Sequence, residues 1–447
     1  KKNYRQTKLF YFMLRTRDIR AAQKQEAFMK HALLPAIKNL FFVACILNCL
    51  PMAPDSLAVK KGFICVPVAD LLGAPLLKPQ KHYRTKTKQA QDSTSYETLP
   101  FACLEEHTPC PRIHQLLYND IVTIEKYDGS NALINLRHLL SFNGKNHAPQ
   151  TYWTNKKYIQ EIDESNEKTS ALAYLPPERR ISFKQDSTCV VLKKPFAEQA
   201  TGLTFSAGTR FLINQEAPPE DDTCSVYLYN PRKKTFITSF IPKNFLLEQV
   251  NTQEEKQQQY VNLIREWLEQ EDAFIPYVWG GASFAHYLYV YDPATQHGFT
   301  DENEKKRHQI KTGFDCSGLI LSAAQLCGIP YFYKNTTTLA HYLKEITPGE
   351  TLKNGDLLYF PGHVQIISDS EKNLIIEAAG YKSGYGKVHE IPIADLFKNK
   401  KNNADLLAAF FAKEPLERLF KDGTSEIIKK FKLFRFSSVW QRYREKK

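Results

Sequence analysis

Apolar positions recur at helical spacing from residue 319 to 327, as Leu319, Ile320, Ala323, Ala324, Leu326 and Cys327, and Gly328 with Pro330 supplies a stop signal. This pattern predicts a helix whose first turn holds Cys316. Two further apolar runs, residues 357–360 and 364–367, flank a Pro361-Gly362 turn and predict neighbouring strands, with His363 at the lip of the second. A third run, Leu374-Ile375-Ile376-Glu377-Ala378-Ala379, predicts a strand that carries one carboxylate among hydrophobic neighbours. Upstream, residues 254–271 place Val261, Ile264 and Leu268 on one helical face with Trp267 beside them. Earlier still the texture changes to short strand-like segments punctuated by turns, over residues 101–163 and again over 171–247, with Pro176-Pro177 marking the boundary.

The helix start matters because unpaired backbone N–H groups and the positive end of the macrodipole favour a thiolate. The same N–H groups suit a developing oxyanion. Such a nucleophile needs a base, and His363 is the best candidate. Glu377 is the candidate third member, able to orient the imidazole. A five-residue loop over 368–372 would set residues 363 and 377 directly opposite, on one face. A four-residue loop would oppose Glu377 to Val364 and turn it away, and His389 is the reserve. The competing structural readings are a buried inert thiol for Cys316 and a salt-bridged strand residue for Glu377.

Together, Ile275-Pro276-Tyr277-Val278-Trp279-Gly280-Gly281, Phe314-Asp315-Cys316-Ser317-Gly318-Leu319, Asn354-Gly355-Asp356-Leu357 and Gly362-His363-Val364-Gln365-Ile366 resemble, in order and spacing, the NlpC-type cell-wall cysteine peptidase family. The resemblance spans about residues 255–400. It implies a papain-like α+β fold, with the nucleophile helix packed on an antiparallel sheet, and hydrolysis of peptidoglycan stem peptides, commonly between γ-D-glutamate and a diamino acid. Cys316 would be the nucleophile, His363 the base and Glu377 the third residue, where the family more often has His, Asn or Gln. Tyr277 would donate a hydrogen bond to substrate or oxyanion, and Asp315 and Ser317 would hold the free amine of a stem peptide. No metal or organic cofactor is implied. Residues 285–312 form a longer, polar connection than the family usually has, either a lid or substrate wall or a solvated loop. The stretch 112–122 resembles the bacterial SH3 modules that precede several such catalytic domains.

A chain of 447 residues, 43% hydrophobic, implies two to four domains. The net charge of +12 suits an anionic partner such as cell wall, and no helix-turn-helix, zinc-finger or RNA-binding signature accompanies it, so nucleic acid is the weaker reading. Met29, Lys30 and Lys38 precede an apolar core over 40–50, and Ser56-Leu57-Ala58 follows at a cleavage-like spacing, which resembles a secretory signal. The apolar core falls short of the roughly 20 residues that span a bilayer, so no stable membrane span is expected. Removing Cys45 and Cys49 with this leader leaves an odd number of cysteines, so at least one is free, while Cys103 and Cys110 are placed to pair.

The expected organisation is an upstream segment and signal peptide over 1–58, SH3-like β domains over 59–170 and 171–250, a catalytic domain over 251–400, and a basic extension over 401–447 that packs as an amphipathic helix. The expected protein is a secreted or periplasmic cysteine endopeptidase or dipeptidyl-peptidase acting on stem peptides or muropeptides of the cell wall. Two other readings remain open at this stage: an acyltransferase on the same fold, and a non-catalytic wall-binding protein.

Overall fold

The computed structural model describes residues 60–75, 112–173, 189–289 and 312–444, apart from short internal gaps. The leader with Cys45 and Cys49, the Cys103 and Cys110 pair, the Pro176-Pro177 boundary and most of the 285–312 connection lie outside the described residues. The two ends of that connection meet, since the Ala285 amide donates to the Thr312 hydroxyl at 3.3 Å.

Turn-punctuated alternation folds as expected into antiparallel sheet. The first β region is seven-stranded, from Lys60–Ile64 to Ile159–Glu161, and the second is four-stranded, with a separate hairpin of Phe196–Glu198 and Leu203–Phe205. The Asp128-Gly129 turn joins two strands of the first sheet, with Gly129 in the left-handed region at φ 57°. Among the described residues no pairing joins the two edge strands of either sheet.

The mixed helix and sheet part begins with the helix Gln253–Leu268, whose start is locked by a capping box between Thr252 and Glu255. Its buried face, Tyr260, Val261, Leu263, Ile264 and Trp267, lies against the nucleophile helix Cys316–Leu326. That second helix is buried along its whole length and packs on the strands His363–Asp369 and Leu374–Ala379. These belong to a six-stranded antiparallel sheet, in the order Lys344–Glu345, Lys432–Arg435, Leu357–Phe360, His363–Asp369, Leu374–Ala379, Lys387–Pro392.

The C-terminal residues correct the expectation of a basic amphipathic helix. Lys432–Arg435 is an internal strand of this sheet, with Leu433 and Phe434 fully buried. Its basic ends are paired: Lys432 with Glu345 and Arg435 with Asp356, each at 2.5 Å. Two flanking charges around a two-residue apolar centre satisfy a short strand, and the gap between two waiting edges, rather than helical propensity, decides the conformation. The catalytic sheet therefore draws on residues well beyond 400. No described helix is long and apolar enough to cross a membrane.

Phe434→Ala is expected to lower the unfolding free energy by about 3–5 kcal/mol, the usual cost of truncating a buried phenylalanine, as read by urea denaturation. A loss under about 1 kcal/mol would mean that this strand is peripheral to the fold.

Candidate active site

Asp315 starts the nucleophile helix by accepting from the Gly318 amide at 2.6 Å through Oδ1, and the Ser317 hydroxyl donates to the same oxygen at 2.9 Å. Both side chains expected to hold a substrate amine are thus engaged in the helix cap. Gly318 is required by contact: a Cβ there would lie 1.9 Å from the carbonyl oxygen of Gly281. The helix consequently seats directly on the Gly280-Gly281 turn, and the Asp315 amide donates to that same Gly281 oxygen at 3.1 Å.

Cys316 occupies the first helical position and is 7% exposed. Burial, joined by the Asp315 carboxylate, pushes its thiol up to about 12, against the backbone hydrogen bonds of Val364 and Ser317 that favour the thiolate. Burial thus works against the lowering expected from the helix start. The Val364 contact nevertheless sets the sulfur against the residue next to His363.

The partners of His363 follow from strand register. Asp369 pairs with Leu374, and a bulge between Ile367 and Asp369 shifts the ladder so that Ile366 faces Ile376. Without that bulge the first pair would set Glu377 across from Ile366, on the face away from His363. With it, Gln365 falls opposite Glu377 and His363 lies one diagonal further along the same face. The loop adopted, 370–373, has four residues but sits one position further along than either expected loop, and with the bulge it leaves His363 Nε2 2.7 Å from Glu377 Oε2.

Glu377, 1% exposed, is the centre of the site's polar network. Gln365 Nε2 donates to it at 2.6 Å, His389 Nε2 lies 3.1 Å from Oε1, and Arg418 Nη2 donates to both carboxylate oxygens at 3.0 and 2.8 Å. Glu377 and His389 are thus not alternatives: His389 sits directly opposite Glu377 on the next strand, and it is Glu377 that touches His363. Burial pushes the Glu377 carboxyl up, but the Arg418 guanidinium and the hydrogen bonds from His363 and His389 outweigh it and hold the group well below the usual carboxylate range.

Arg418 escaped the motif search. It lies on Leu416–Leu419 in a separate three-stranded sheet, far along the chain, and its only sequence signal is one basic residue in the short Leu416-Glu417-Arg418-Leu419 run. Tyr277 is buried, bridged in parallel to Phe314, and its ring lines the space beside Gly380. The turn it leads into is gripped by the first β region: Gln115 Oε1 accepts from the Ala282 amide at 3.1 Å and from the Ser283 hydroxyl at 2.7 Å. Gln115 is itself held by Asp70, the buried partner of Arg112.

A buried helix-start cysteine and an antiparallel sheet that carries a paired histidine and carboxylate thus share one mixed helix and sheet domain. The family follows from comparison: residues 275–390 match the NlpC/P60 family model, so the chain carries an NlpC/P60 domain over this span. No curated protein matches the chain. Among solved structures, an NlpC/P60 family protein from Bacillus cereus ATCC 10987 is 15% identical with a TM-score of 0.47, covering 84% of this chain and 99% of its own. NlpC2 from Trichomonas vaginalis is 13% identical with a TM-score of 0.29, covering 85% and 98%. The peptidoglycan hydrolase RipB from Mycobacterium tuberculosis is 24% identical with a TM-score of 0.20, covering 32% and 62%.

Because Cys316 is held as a neutral thiol, its alkylation by iodoacetamide should keep accelerating from about pH 7 to about pH 10. A rate already level below about pH 7 would reveal a resting thiolate instead. Arg418→Met should cost about 3 kcal/mol of stability at neutral pH by leaving a buried carboxylate short of a cation. The depressed Glu377 contributes stability above the ordinary glutamate range that is lost on acidification, so the deficit should shrink as pH falls through that range. Urea denaturation at neutral pH and again below the ordinary glutamate range reads it.

Proposed function

We propose that the protein is a cysteine peptidase that hydrolyses peptidoglycan stem peptides, at the bond between γ-D-glutamate and a diamino acid, as an endopeptidase or dipeptidyl-peptidase. The observation that carries this reading is a buried helix-start cysteine, within a segment matching the NlpC/P60 family, whose sulfur meets the backbone beside a carboxylate-anchored histidine.

The neutral resting thiol dictates the order of events. Cys316 Sγ attacks the scissile carbonyl carbon while its proton passes to His363, so nucleophile and imidazolium form only as the substrate arrives. Glu377 holds Nε2 of that ring, which assigns the proton transfer to Nδ1. Its negative charge then stabilises the imidazolium. Backbone N–H groups at the helix start, with Tyr277, receive the oxyanion. His363 returns the proton to the departing amine, and water hydrolyses the thioester to restore the thiol and release the acyl product. Asp315 and Ser317, placed beside the nucleophile by the helix cap, attract the free amine of the stem peptide.

The two β regions serve as SH3-like modules that shape the cleft or recruit wall polymer, and the enzyme works outside the cytoplasm, secreted or periplasmic, where that polymer is found. The +12 net charge favours an anionic wall.

Defined muropeptides incubated with the protein and weighed by mass spectrometry should show cleavage with addition of one water at the γ-D-glutamyl bond. Cys316→Ala should reduce the rate by about a thousandfold or more. Transfer of an acyl group to a lipid or amine without cleavage would overturn the hydrolase reading. So would sedimentation with sacculi that survives Cys316→Ala in a protein with no hydrolytic activity.

A further inference from the structure

Glu377 acts on His363 in two opposing ways. Its hydrogen bond aims the imidazole, but a buried carboxylate 2.7 Å from the ring also favours the protonated form, since a nearby opposite charge stabilises a charged group. An imidazolium formed at rest has no lone pair with which to take the Cys316 proton. The carboxylate that orients the base would therefore disable it near neutral pH unless its own charge were answered elsewhere.

Arg418 supplies that answer. Its Nη2 donates to both Glu377 oxygens, at 3.0 and 2.8 Å, whereas Gln365 contributes a neutral amide and His389 a ring nitrogen. Guanidinium groups stay charged across the working range of pH, and among the described residues no other lysine or arginine pairs with this carboxylate. The cation is also fixed in place. Its central carbon lies over the Phe360 ring, 5.6 Å from the centroid, and over the Phe420 ring at 5.8 Å. Phe360 is the strand partner of His363, and its ring centroid is 5.2 Å from that of the imidazole. One aromatic side chain thus touches both the base and the cation. The other ionisable groups around the network are Tyr385, whose ring lies against His389 at 4.2 Å, and Asp395, which Tyr385 feels together with Glu377 and Arg418. On the sulfur's side stand Asp315 and Lys334, the latter 5% exposed.

We propose that Arg418 is a positioning residue for the reaction: by pairing with Glu377 it keeps His363 an unprotonated base, while the carboxylate remains free to aim the ring. The proposal rests on the peptidase reading and assigns a part of its machinery to a sheet outside the 275–390 match, that of Phe397–Lys398, Leu416–Leu419 and Ser425–Ile428. Before attack, His363 meets a carboxylate whose charge is already shared with the guanidinium. As the Cys316 proton reaches Nδ1, the ring becomes positive and its Nε2 hydrogen bond to Glu377 turns charge-assisted and stronger. Stabilisation is thereby held back from the resting state and delivered with proton transfer, which is where it accelerates the reaction.

The charge state of His363 can be followed by NMR through its ring C2–H signal, assigned by the loss of that signal in His363→Gln. The readout needs no turnover. In Arg418→Met the signal should titrate about one pH unit or more above the wild type, as expected when an uncompensated carboxylate is left against the ring. The acid limb of kcat/KM on muropeptides should move to higher pH by the same amount, with the rate recovering on the alkaline side. Arg418→Lys, which keeps the charge, should restore both profiles toward the wild type, and Arg418→Gln supplies a second neutral variant should methionine fail to fold. A His363 signal that titrates at the wild-type pH in the neutral variants overturns the proposal. So does a rate lowered equally at every pH, or a lysine variant that behaves like methionine, since a merely structural arginine would produce either. If the titration moves as expected but muropeptides are not cleaved, the control of His363 by Arg418 stands and the peptidase reading falls; cleavage with an unmoved titration gives the reverse.

Discussion

A charged carboxylate with 1% exposure persists in a protein interior only when every side of it is answered, and Glu377 is answered from three directions. His363 and Gln365 reach it from one neighbouring strand, His389 from the other, and Arg418 from a sheet outside the main one. The imidazole of His363 is aimed because the carboxylate it meets is held by these partners. The bulge in the hairpin, the register of the next strand and the docking of the C-terminal sheet are all tied to one side chain.

Electrostatics around the sulfur show which of two opposing effects wins. A helix start favours a nearby anion by about 0.3–1 kcal/mol, and up to ~2 when partly buried. Enclosing an ionisable group in protein can shift its pKa by up to about 3–5 units the other way. Cys316 is enclosed, and Asp315, the residue that caps the helix, adds a negative charge beside it. The geometry that makes the helix start a good oxyanion site is thus compatible with a thiol that stays neutral until substrate and imidazole act together.

The first β region positions the segments around Cys316 as well as the six-stranded sheet does. Gln115, steadied by the buried Arg112 and Asp70 pair, fixes the turn that follows Tyr277, and Leu140 exchanges backbone hydrogen bonds with the segment that carries Lys334. Backbone contacts of this kind specify position without constraining side-chain identity.

Local physics made much of the site legible in the linear chain. The nucleophile helix, its stop at Gly328, the strand after Gly362 and the lone carboxylate of the next strand all follow from period, caps and turns, which act over a few residues. Whether Glu377 met His363 did not, since a single bulged residue reverses a strand's two faces and leaves no local mark. Arg418 lies 41 residues from Glu377, and Arg435 lies 79 from Asp356. Such pairs form because burial deprives the charges of solvent, a condition that exists only once the layers have closed. The same closure turned a basic tail into a core strand, raised a thiol that its helix would lower, and left Lys334 buried beside it. Chain-local forces thus determined which elements and which chemical groups exist, while desolvation, which requires the assembled interior, decided their charges and their partners.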